Sequence, residues 1–130
     1  MKKIVLSSFV ILLLISVAAY ASQENSVKLA VASDGKTHTA SVSSQAARCS
    51  YYLIFDGTAK LIEVIDNPFR NASGGAGPSV AGFLAQKGIA IVVAESFGNK
   101  MTNAIKDKGI KYYKLKGSAE DAVKKILKIK

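Results

Sequence analysis

The chain has 130 residues, 49% of them hydrophobic, and carries a formal net charge of +9 with one cysteine. That length gives one domain with a sizeable core, and a lone cysteine excludes an intrachain disulfide framework. The basic balance would suit nucleic acid or anionic lipid. However, no basic stripe is interleaved with aromatic residues, so the lysines between Lys100 and Lys130 read as solvated outer faces of helices.

Lys2 and Lys3 open the chain with positive charge, and residues 4–19 are apolar apart from Ser7, Ser8 and Ser16. Ala19-Tyr20-Ala21 then supplies the small residues that a signal peptidase reads. This order predicts a cleavable signal over residues 1–21 and a periplasmic or secreted product that meets the membrane only during export. An uncleaved anchor is the competing reading, although the apolar run is short for one. Removing Lys2 and Lys3 lowers the net charge from +9 to +7. Residues 22–26 read as a flexible leader, and residues 27–130 as a single domain.

Val27 to Ala32 reads as a first strand, ended by the turn Ser33-Asp34-Gly35-Lys36. Thr39 to Ser43 alternates weakly and is expected to form a short second strand. Tyr51 to Phe55 is a strong strand, rich in β-branched and aromatic residues. Asp56-Gly57-Thr58 turns it into a partner over Lys60 to Ile65, which gives an antiparallel meander. Asn67-Pro68 ends the meander, because the residue before proline is pushed out of helical geometry.

A glycine-rich loop over residues 71–78 then opens a helix, with Pro78 in its first turn and Gly88 as its stop. Val80, Phe83 and Leu84 share one face of that helix. Ile89 to Ala94 is continuously apolar, as a strand buried on both faces should be. A second helix over Lys100 to Lys108, the stop Gly109 and a strand over Ile110 to Leu115 repeat the pattern. Ser118 and Asp121 form a capping signal for a last helix with Ala119, Ala122, Val123, Ile126 and Leu127 inward. The order predicts an α/β fold: a mixed sheet of about five strands flanked by helices, with right-handed crossovers.

Ligands of open α/β sheets bind beyond the carboxyl ends of the parallel strands. The connectors 33–38, 71–78 and 95–100 are the candidates for that rim. Gly74, Gly75, Ala76 and Gly77 let the backbone approach a ligand and lead into a helix N-terminus with free N–H groups. Their spacing matches neither a phosphate loop nor a dinucleotide fingerprint. His38 has no fixed relation to Cys49 or to a serine that would mark a catalytic triad. Asp56 is explained by its turn and Glu63 by an outer strand face, and a nuclease-like centre would need three convergent acids. No C-x-x-C or H-x-x-x-H exists for a closed zinc site. His38 is a surface turn residue or a ligand. Cys49 is buried and inert, paired with a second copy of the chain, or a metal ligand.

Residues 28–33 (KLAVAS), 51–56 (YYLIFD), 65–68 (IDNP), 74–78 (GGAGP), 88–94 (GIAIVVA), Gly98 and 109–112 (GIKY) occur in an order and separation that resemble the dinitrogenase iron–molybdenum cofactor biosynthesis domain family. The resemblance implies a ribonuclease H-like fold and a non-catalytic carrier of a metal or metal-sulfur cluster, with iron, molybdenum or copper as candidate metals. It points to cofactor contacts at Gly74, Gly75, Ala76, Gly77, Ser96, Phe97 and Gly98, and to Cys49 and His38 as metal ligands. A metalloprotein acceptor is the implied partner. Where relatives carry a phenylalanine–glycine–arginine stretch, this chain has Ala46-Ala47-Arg48, and Glu95 stands where many have glycine. The export signal departs from cytoplasmic nitrogenase assembly and points to a branch working elsewhere. The alternatives are an exported interaction module that lost its ligand, or a divalent-metal-dependent hydrolase.

Overall fold

A computed structural model describes residues 27–130. The expected signal over residues 1–21 and the leader over residues 22–26 lie outside the described residues.

Five strands form one sheet: β1 (Lys28–Ser33), β2 (Tyr51–Asp56), β3 (Leu61–Asp66), β4 (Ile91–Ala94) and β5 (Lys111–Lys114). Three helices accompany them: α1 (Ala76–Gln86), α2 (Asn99–Asp107) and α3 (Ala119–Leu127). The strand order is β3-β2-β1-β4-β5. β2 runs antiparallel to β1 and β3, whereas β1, β4 and β5 are parallel neighbours. The C-terminal ends of four strands and the N-terminal end of β2 therefore lie along one rim.

Alternation along the strands sorts the core into two layers. Ala30, Ala32, Tyr52, Ile54, Val92 and Ala94 pack under Val80, Ala81 and Leu84 of α1 and Met101 and Ile105 of α2. Leu29, Val31, Leu53, Phe55 and Val93 pack under Ala119, Ala122 and Val123 of α3. The central strands are thus covered on both faces, which is why β1 and β4 read as unbroken apolar runs.

Local signals hold at the turns. Asp56 Oδ1 accepts hydrogen bonds from the Thr58 N–H at 2.8 Å, the Thr58 hydroxyl at 2.6 Å and the Lys60 N–H at 3.1 Å. Gly88 and Gly109 end their helices at φ +76° and +73°, where a side chain would be strained. The Asp121 N–H donates to Ser118 Oγ at 3.2 Å and caps α3.

One element differs from expectation. Thr39 to Ser43 forms no strand; Ser41 and Val42 make only isolated bridges, to Ser118 and Ser33. The backbone bonds of this stretch go to separate partners: Val42 N–H to Gly117 O, and Ser43 N–H to Ala32 O. A connector shared between two elements cannot also build a ladder.

Candidate functional site

The connector between β1 and β2 shapes the rim. Its first part lies against α3: Glu120 N–H donates to His38 O, and Ala119 N–H donates to Ala40 O. At Ser43 it crosses the ends of β1 and β4, since Ser43 O accepts from Glu95 N–H at 2.9 Å. Its last part enters the opposite layer, where Ala46 and Cys49 join the core beneath α1 and α2.

That last part is tied to both neighbouring loops. Ala46 N–H donates to Ser96 O at 3.2 Å, and the Ser96 hydroxyl donates back to Ser44 O. Asn67, buried after β3, donates from Nδ2 to Ala47 O at 2.8 Å and to Cys49 O at 3.0 Å. Its Oδ1 accepts from Phe69 N–H at 2.9 Å. Arg48 Nη1 donates to Ala72 O at 2.7 Å, and the Tyr52 hydroxyl donates to Ala46 O at 2.6 Å. Loops 44–49, 67–72 and 96–98 therefore form one hydrogen-bonded belt along the rim.

Two helix N-termini open beside this belt. The first helical bond of α1 runs from Ser79 N–H to Gly75 O, which leaves the Ala76 and Gly77 N–H groups without a helical acceptor. The α2 helix starts with Thr102 N–H donating to Gly98 O, so Asn99, Lys100 and Met101 present theirs. The starts are neighbours, because a Cβ on Gly77 would stand 2.9 Å from Met101 Cβ. Gly74, Gly75, Ser96 and Gly98 are exposed, Gly77 and Phe97 half-buried, and Ala76 buried. Gly75 holds φ +68°, a left-handed turn that suits glycine. Of the connectors expected at the rim, 33–38 turns toward α3, and it is residues 44–49, 71–78 and 95–100 that meet there.

The expected ligand pair does not. Cys49 lies in the layer under α1 and α2, 2% exposed, while His38 lies on the α3 side. Burial pushes the Cys49 thiol up to about 11, so it stays protonated at neutral pH. Its Sγ sits 3.8 Å from Ala46 O and 3.9 Å from Asn67 Nδ2, in a packing role. His38 Nδ1 sits 2.6 Å from Glu120 Oε2 on an exposed surface. The Lys124 ammonium and then His38 hold the Glu120 carboxyl below its usual range. The two residues lie apart because the connector changes faces between residues 38 and 49. Among the described residues, no group of three or more His, Cys, Asp or Glu side chains is placed to hold a metal ion.

Asn67, Arg48 and Tyr52 are the residues that sequence reasoning missed. Asn67 carried a signal, an Asn before Pro68, but its partners lie 18 and 20 positions away.

Residues 27–129 match the family described as dinitrogenase iron-molybdenum cofactor. An uncharacterized protein of Methanocaldococcus jannaschii is 30% identical over 77 residues, covering 57% of this chain and 65% of that protein. The apo form of the orange protein from Desulfovibrio gigas superposes with a TM-score of 0.74 at 26% identity, covering 78% of this chain and 87% of that one. A putative NifB protein from Thermotoga gives 0.68 at 29% identity, with 78% and 88% covered. The match over nearly all the described residues places this chain in the dinitrogenase iron-molybdenum cofactor family.

Proposed function

We propose that this domain is a non-catalytic binding or carrier protein for a metal-sulfur cluster, working outside the cytoplasm and handing its cargo to a metalloprotein acceptor. The observation that carries this reading is the convergence of the 74–77 and 96–98 loops at two adjacent helix starts. Free backbone N–H groups and the positive ends of two helix dipoles favour an anionic guest. Such a guest brings its own sulfur ligands, so the donor set fits a preassembled anionic cluster better than a bare ion coordinated by Cys49 and His38. Iron, molybdenum and copper are the candidate metals, and family membership supports metal cargo. The strand order, with only β2 reversed, supports a ribonuclease H-like scaffold. The Lys2, Lys3 and Ala19-Tyr20-Ala21 pattern supports export.

Metal analysis and visible absorption of protein purified from its native host test the reading. Metal with sulfide, accompanied by charge-transfer bands, is expected. Metal-free colourless protein that still captures a specific partner would instead favour an interaction module.

A further inference from the structure

A second cleft opens on the other side of α2, between that helix and β5. It has a volume of about 360 Å³ and is lined by Phe97, Asn99, Thr102, Asn103, Lys106, Tyr112 and Lys114. No carboxylate lines it. The carboxylates that form ion pairs among the described residues do so elsewhere: Glu63 with Lys87, and Glu120 with His38 and Lys124. Lys106 and Lys114 have no such partner among the described residues, so two like charges face one hollow without compensation. Phe97 and Tyr112 form its aromatic wall, with ring centroids 4.9 Å apart. Lys106 Nζ stands 5.9 Å from the Tyr112 centroid, which steadies its flexible stem.

We propose that this cleft binds a tetrahedral dianion without covalent bonds. Lys106 and Lys114 supply the charge, and the Asn99 and Asn103 carboxamides supply directional donors. The Thr102 hydroxyl is already committed to Gly98 O at 2.7 Å and serves as wall. The volume lies near the lower end of small-molecule sites, which suits a compact hydrated anion better than a nucleotide. The aromatic wall limits water on one side and strengthens the attraction between ammonium and anion. This site shares the 97–99 turn with the rim but does not depend on a cluster being carried there.

Calorimetric titration of the metal-free domain with phosphate, sulfate and molybdate, in separate arms at fixed ionic strength, tests the proposal. Saturable one-to-one binding is expected, weakened about tenfold or more in Lys106→Gln/Lys114→Gln and unchanged in Lys60→Gln. Binding in all three arms identifies a general oxyanion site; binding of molybdate alone identifies a metal oxoanion as the occupant. Absence of saturation in every arm overturns the proposal, as does an affinity that is equal in the double variant or equally reduced by Lys60→Gln. Circular dichroism confirms that the double variant, altered only at exposed positions, remains folded. Because no cluster is present, failure here leaves the carrier reading standing.

Discussion

Gly77 and Met101 meet where α1 and α2 cross: a Cβ on Gly77 would lie 2.9 Å from Met101 Cβ and 3.0 Å from the Met101 backbone nitrogen. That contact sets two helix starts side by side at the rim. Gly77→Ala must therefore push the helices apart, because backbone atoms cannot yield as a flexible side-chain tip can. A loss of about 1–3 kcal/mol is expected from overpacking. Gly74→Ala, which meets open space, is the matched comparison. Urea midpoints of the two variants check this, with a clear shift expected only for Gly77→Ala.

Asn67 joins two loops through a side chain that is only 7% exposed. Asn67→Asp keeps the acceptor for Phe69 N–H but loses both donations, to Ala47 O and Cys49 O. A carboxylate facing two carbonyl oxygens, with a buried acceptor unpaired, is expected to cost about 1–3 kcal/mol. Amide hydrogen exchange should quicken in residues 46–50 and 67–72 before it does in β4.

The buried Cys49 thiol gives a pH signature. Its folded-state value of about 11 lies above the ordinary 9.0. The folded form therefore holds its proton more tightly than the unfolded chain does. That contribution is complete below pH 9 and is lost as pH rises through about 11. The stability gap between wild type and Cys49→Ala should narrow across that window. At pH 8 an alkylating reagent should modify Cys49 only after denaturant is added.

Ser118 caps α3 through the Asp121 N–H. Ser118→Ala should destabilise the domain by about 1 kcal/mol, while Ser118→Asp should restore most of the loss. Thermal melts of the pair measure this.

Much of this arrangement was legible in the residues. The unbroken run from Ile89 to Ala94, preceded by the stop at Gly88, marked the doubly covered strand found at Ile91–Ala94, and alternating helices and strands implied loops gathered at one rim. The connector from Asp34 to Ser50 was not legible. Its partners outside the connector include Ala32, Asn67, Glu95, Ser96, Gly117, Ala119 and Glu120, so no local periodicity records them. For the same reason the faces of His38 and Cys49 could not be read from eleven positions of chain. Cys49 packs in one layer and His38 pairs with a surface carboxylate on the other side.

Amide chemical shifts during anaerobic reconstitution with iron and sulfide test the central claim most directly. Perturbation should concentrate in Gly74 to Gly77 and Ser96 to Met101, and should persist in the doubly substituted Cys49→Ser/His38→Ala protein. Shifts centred on residue 38 or 49, or a rim that stays silent while metal is taken up, would contradict it.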